Sequence, residues 1–78
     1  MYTKYELYPI YEHVKSYYGK AKICDYGHAQ YELYSYGTLV SVCQSGRVIL
    51  LGKWSRTTSR HQKEFEMQFA IFPIPYTN

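Results

Sequence analysis

Trp54-Ser55-Arg56-Thr57-Thr58-Ser59-Arg60-His61-Gln62-Lys63-Glu64-Phe65 is the stretch whose reading decides the fold. It holds the only tryptophan, a run of hydroxyls, two arginines, a histidine and the first turns of a helix. Ser59 followed three positions later by Gln62 matches a capping box, in which each side chain satisfies a backbone N–H at the other's end. The expected helix start is therefore about Ser59. From there His61, Phe65, Phe69 and Phe72 recur at helical spacing as one aromatic stripe, while Arg60, Lys63, Glu64 and Gln68 fall off it. The stripe needs a core to face, which leaves Trp54 to Arg60 as an outside turn. The helix has to stop before Pro73, since proline disfavours helix at the residue preceding it, and Pro73 to Tyr76 reads as extended.

Upstream of this stretch the chain alternates rather than turning every 3.6 residues. Lys20 to Asp25 puts Ala21 and Ile23 on one side and Lys20, Lys22 and Cys24 on the other, and Tyr26-Gly27-His28 reads as a turn. Gln30 to Tyr36 sets Tyr31 and Leu33 against Gln30, Glu32, Tyr34 and Tyr36, and Gly37 reverses the chain. Thr38 to Cys43 sets Val40 and Val42 against Leu39, Ser41 and Cys43, and Ser45-Gly46 closes a tight hairpin into Arg47 to Leu51. Before the first of these runs, Pro9 suits the first position of a helix, Ile10, Val14, Tyr17 and Tyr18 keep helical spacing, and Gly19 suits the left-handed position past its end. Tyr2, Tyr5, Tyr8 and Tyr11, three apart, read as a short helical or extended lead-in. The expected fold is α+β: a four-stranded antiparallel meander with N- and C-terminal helices packed on one face, over Ala21, Ile23, Tyr31, Leu33, Val40 and Val42. The other face, with its tyrosines and lysines, is left for solvent or a partner.

At 78 residues the chain is expected to form one domain, close to the smallest size at which an apolar core offsets chain entropy unaided. A net charge of +3, spread over several elements, is too small to mark a dedicated nucleic-acid binder. The composition stands out for its eleven tyrosines, whose rings are apolar and whose tips are polar, as recognition surfaces require. No long apolar run or signal-like leader is present, so the expectation is a cytoplasmic protein with no membrane contact. Two cysteines are too few for a disulfide framework, and in a reducing compartment each is a thiol.

Four chemistries deserve weighing. Cys24, His28 and Cys43 are metal-ligand types toward one end of the expected sheet, but zinc takes four ligands, and two strands separated by a third lie roughly 9–10 Å apart. Two unrelated thiols and no cofactor are the expectation, with zinc the lesser alternative. His61 near Ser55, Thr57, Thr58 and Ser59 suggests nucleophilic catalysis, yet a triad needs an orienting third group and a pocket. Capping and turn roles explain the hydroxyls better, His61 reads as a core-edge histidine bonded to a carbonyl or a tyrosine hydroxyl, and the protein is expected not to be an enzyme. Arg56, Arg60 and Lys63 flank a helix N-terminus, a ready anion site, and exposed tyrosines can stack on bases, so nucleic-acid binding comes second. Protein recognition comes first, with Tyr34, Tyr36, Trp54, Arg56, Arg60 and Lys63 as the expected contact residues, being of the types that dominate interface hot spots.

Three blocks carry a family resemblance: Ser16-Tyr17-Tyr18-Gly19-Lys20-Ala21, Leu33-Tyr34-Ser35-Tyr36-Gly37-Thr38 and Trp54 to Phe65. Together they resemble a family of small proteins encoded by phages and mobile elements of Gram-positive bacteria, and the third block is the specific one. After Phe65 the chain departs from that pattern, with Glu66-Met67-Gln68-Phe69 in place of a helix end richer in leucine and lysine. The resemblance implies no catalytic residue. It implies a setting, in which small proteins counter host defence and some inhibit RNA-guided CRISPR nucleases by occupying a protein surface needed for loading nucleic acid. The expected partner is accordingly a bacterial CRISPR effector nuclease or another host defence protein, met in the host cytoplasm. The alternative is a small nucleic-acid-binding accessory protein of a mobile element.

Overall fold

The computed structural model describes residues 2–12, 14, 17–52 and 54–71. Five strands, β1 (Thr3–Glu6), β2 (Ala21–Gly27), β3 (Gln30–Ser35), β4 (Thr38–Gln44) and β5 (Arg47–Leu50), form one antiparallel sheet in sequence order. One helix follows, α1 (Arg56–Phe69). The meander was expected with four strands, and β1 is the addition. It pairs with β2 from Thr3 opposite Asp25 to Glu6 opposite Lys22. Three connections take two residues each, His28-Ala29, Tyr36-Gly37 and Ser45-Gly46, and all six residues have positive φ. That backbone matches the twist of the flanking strands, and so these hairpins close tightly.

Register assigns the faces. Tyr5, Ile23, Leu33 and Ser41 lie in one row across the sheet, and Asp25, Tyr31, Cys43 and Val48 in the next. These rows face α1, which packs on β3, β4 and β5. The core gathers Leu7, Tyr17, Ala21, Ile23, Leu33, Val40, Cys43, Val48 and Phe65. Val42 was expected among them and is not. The β3–β4 register slips between Leu33 and Tyr34, pairing Leu33 with Ser41 but Tyr34 with Leu39, so Val40 is an extra residue in β4. Beyond such a bulge the alternation inverts. Ser41 and Cys43 therefore turn toward the helix, and Leu39 and Val42 turn away.

The helix begins one turn earlier than the capping box suggests. Ser55 is the N-cap and its Oγ accepts from the Thr58 N–H at 3.3 Å. Gln62 is thereby released from capping and is buried, donating through Nε2 to the Val40 carbonyl at 2.9 Å. The stripe of His61, Phe65 and Phe69 does face the core, while Phe72 and the Pro73–Tyr76 tail lie outside the described residues.

The expected N-terminal helix is absent among the described residues of 9–18, where the chain bends instead. Ile10 and Tyr18 are exposed and only Tyr17 of the expected apolar side is buried. A tertiary contact holds this segment. The buried Glu64 carboxylate accepts from the N–H groups of Ile10, Tyr11 and Glu12 at 3.0–3.2 Å and from Gln68 Nε2 at 2.6 Å. Gln68 also donates to the Tyr8 carbonyl at 2.7 Å.

Candidate functional site

The face of the sheet turned away from α1 has no layer over it among the described residues. One row across it reads Lys4, Cys24, Glu32, Val42, Ile49, and the next reads Glu6, Lys22, Tyr34, Leu39. Its β1–β3 half is polar and aromatic. Glu32 Oε1 accepts from the Tyr26 hydroxyl at 2.6 Å and the Tyr34 hydroxyl at 3.0 Å, Lys4 Nζ sits 5.7 Å from the Tyr34 ring centroid, and the Tyr2 and Tyr26 rings are 5.3 Å apart. Those bonds to Glu32, more than burial, raise the pKa of both tyrosines. The β4–β5 half is aliphatic, with Leu39 and Val42 partly exposed and Ile49 49% exposed. Leu50 and Leu51 extend exposed apolar surface along the β5 edge.

The residues expected to bind a partner do not converge on one surface. Tyr34 lies on the uncovered sheet face. Tyr36 sits in the β3–β4 turn on the helix side, its ring centroid 5.9 Å from that of His61. Arg56, Arg60 and Lys63 are exposed along α1, with Arg60 Nε 3.1 Å from Glu12 Oε1, and Trp54 precedes the helix at 43% exposure. Sequence reading missed Tyr26, Glu32, Val42 and Ile49. The period-2 pattern already put Glu32 beside Tyr34, whereas Val42 needed knowledge of the bulge.

The metal set comes apart. Cys24 and Cys43 point to opposite faces of the sheet, two strands apart, and both are buried thiols. His28 is exposed in the β2–β3 turn with φ +54. Among the described residues no group of three or more histidine, cysteine or acidic side chains could hold a metal ion. Cys43 faces the helix, donating to the Phe69 carbonyl at 3.8 Å, and burial raises its thiol pKa.

On the helix side, polar groups are buried around His61, which is 0% exposed. Ser35 Oγ lies 3.0 Å from Thr58 Oγ1 and 2.8 Å from His61 Nδ1. The expected bond to a carbonyl or a tyrosine hydroxyl is therefore replaced by one to a serine. The Tyr17 ring meets the imidazole edge-on at 4.5 Å, and its hydroxyl donates to the Glu12 carboxylate. Burial and then that bond raise the Tyr17 pKa. Burial lowers the His61 pKa, with Lys20 acting in the same direction and Glu12 against it. His61 Nε2 is buried without a hydrogen-bond partner, a condition that costs about 1–3 kcal/mol. A cleft of about 240 Å³ opens here, with His61, Tyr17, Tyr36, Lys20, Thr57 and Arg60 among its walls.

Residues 5–74 match a family of unknown function, DUF8033, and the chain belongs to that family. No curated protein and no solved structure matches it. No helix among the described residues is long and apolar enough to cross a membrane.

Proposed function

We propose that the protein is a non-catalytic recognition module that docks on another protein through the uncovered face of its sheet. The observation that carries this reading is the make-up of that face: aliphatic Leu39, Val42 and Ile49 beside tyrosines whose hydroxyls are already tied to Glu32. Apolar surface next to pre-ordered aromatic rings gives contact area at small entropy cost, and phosphate backbones have no use for the aliphatic half. Lys4 and Lys22 border the face, so the partner should offer an apolar ridge with acidic neighbours. The resemblance of the Trp54–Phe65 run makes a bacterial CRISPR effector nuclease the first partner to try, as an inhibitor's target, with other host defence proteins next.

The test is a pull-down with purified effector followed by target cleavage at excess protein. A complex that survives in the parent and is lost in Val42→Asp/Ile49→Asp, with both proteins melting alike, supports the docking face. No complex and full cleavage across a panel of such effectors would remove that partner class. A complex untouched by the double substitution would remove the face itself.

A second reading, nucleic-acid binding by an accessory protein, is favoured by one observation. Lys4, Lys20 and Lys22 gather with Tyr34 around a hollow of about 200 Å³. Salt separates the two readings, because on a single strand each neutralised phosphate steepens the slope of log affinity against log salt, by about −0.7 per contact. A steep slope with single-stranded oligonucleotide would favour this alternative.

A further inference from the structure

The two edges of the sheet are built differently. Leu7 N–H donates to the Ala21 carbonyl, so alternation along β1 turns the backbone groups of Lys4 and Glu6 outward, and both carry charged side chains. Charge at an edge opposes the addition of another strand. At the other edge Leu51 N–H donates to the Val40 carbonyl, which turns the N–H and C=O of Val48 and Leu50 outward. Among the described residues no strand pairs with that side of β5, and these groups have no backbone partner there. The rim is apolar. Ile49, Leu50 and Leu51 are exposed along it, Trp54 lies beside Gly52 at one end, and Ile71, 78% exposed, donates its N–H to the Gly46 carbonyl at the other. A row of outward amides and carbonyls is matched by an extended strand.

We infer that this strand is β5 of a second copy of the chain, running antiparallel across a two-fold axis at Ile49. Val48 of each copy then faces Leu50 of the other, and both pairs exchange N–H and C=O, so every outward group of the two strands is used. The neighbouring registers do worse. An axis at Val48 sets Leu50 against Gly46, whose carbonyl is already taken by Ile71, and an axis at Leu50 sets Val48 against Gly52, beyond the end of β5 at φ +122. With the axis at Ile49, residue 52 falls opposite residue 46, so Trp54 of each copy meets the end where the other carries Ile71. Arg47, the charge on β5, falls opposite Leu51 and not opposite another arginine. Directly opposed residues point to the same face, so the uncovered faces run on as one and the patch of Leu39, Val42 and Ile49 is doubled at its centre. The pairing does not rest on the docking reading, and its test uses the chain alone.

Sedimentation equilibrium of the intact chain, from micromolar to millimolar concentration, should show monomers passing to dimers and no larger species, since a two-fold contact closes. Leu50→Pro removes an outward N–H that the single chain does not use, at the kind of edge position where a strand accepts proline. It breaks half of the hydrogen bonds between the copies and should weaken dimerisation about thirtyfold, the weight of two such bonds. Ile49 tests the axis. Ile49→Lys and Ile49→Glu each set like charges against each other and should be monomers, whereas an equimolar mixture should restore a dimer holding one of each. That rescue decides the matter if Leu50→Pro does not fold. The inference is overturned if the parent stays monomeric at every concentration, if folded Leu50→Pro dimerises like the parent, or if the mixture associates no better than either variant by itself.

Discussion

Removing the Glu64 carboxylate should release residues 10–12 from α1. The carboxylate collects three consecutive backbone N–H groups, of Ile10, Tyr11 and Glu12, together with the Gln68 amide. A hydrogen bond to a charged group is worth about 1.5–3 kcal/mol net. Simple addition overstates the loss, because Ile10 and Tyr11 are exposed and their amides regain water when the carboxylate goes. Glu64→Ala should therefore cost about 3 kcal/mol, which for a domain of this size lowers the melting temperature by roughly 12–24 °C. Glu64→Gln keeps one acceptor oxygen but points an NH₂ group at donors, and should cost about half as much. Urea titration gives the free energy, and hydrogen exchange of the Ile10, Tyr11 and Glu12 amides reports the local effect. Should Glu64→Ala melt within about 2 °C of the parent, and those amides keep their exchange rates, the clasp contributes nothing and the reasoning fails.

Three further outcomes follow from the packing. The depressed pKa of His61 means that, as pH falls through the ordinary value of 6.5, the unfolded chain takes a proton that the folded chain refuses. Stability should drop on acidification from 6.5 toward the folded-state pKa, and urea midpoints of His61→Gln should lose that slope. Gly46→Ala places a Cβ 2.7 Å from Ile71 Cβ at φ +84, whereas Gly37→Ala, at φ +81, meets open space. Both pay for the left-handed backbone at about 1 kcal/mol, and Gly46→Ala should cost about 1 kcal/mol more by chemical denaturation. Neither native thiol should react with an aqueous disulfide reagent faster than the protein unfolds, and no Cys24–Cys43 disulfide should form in the folded state, since both are buried and face opposite ways.

Most of the sheet was legible because its middle strands obey a period of two between turns that need positive φ. Gly37 and Gly46 announced two of those turns. The third, His28-Ala29, uses residues that rarely adopt that backbone, so only its neighbour Gly27 hinted at it. Strand β1 was hidden because Thr3 to Tyr5 are exposed and Tyr5 also fits a three-residue spacing with Tyr2, Tyr8 and Tyr11. The N-terminal helix was over-read from Ile10, Val14 and Tyr18, which turn out exposed, while the contact that shapes the segment comes from Glu64, more than 50 residues away. Ser59 outranked Ser55 on motif grounds because Gln62 completed a box, but Gln62 gains more by reaching the Val40 carbonyl. The aliphatic half of the uncovered face depended on one extra residue in β4, which no local pattern reveals.

The seat of α1 connects these points. Its buried positions are Thr58, His61, Gln62, Glu64 and Phe65, and only the last is apolar. The polar ones reach different parts of the fold: Thr58 and His61 to Ser35 at the end of β3, Gln62 to the bulge at Val40, Glu64 to residues 10–12. The Val40 carbonyl also accepts from Leu51 N–H at 3.0 Å, so the bulge that turns Val42 outward offers one oxygen to both the helix and the end of the β5 run. An apolar stripe alone would let the helix rotate or slide by small steps, whereas directional bonds to fixed points do not. The cleft walls carried by α1, Thr57 and Arg60, are thereby held against Lys20 and Tyr36, while Val42 and Ile49 lie on the other face of the sheet. Sites so separated should act independently. Val42→Asp/Ile49→Asp and Lys20→Ala/Arg60→Ala should change stability additively by urea titration, and Lys20→Ala/Arg60→Ala should leave protein capture unchanged. Cross-talk larger than about 0.5 kcal/mol in that cycle would mean that the sheet transmits strain between its faces, and the helix seat would not be the fixed frame its hydrogen bonds describe.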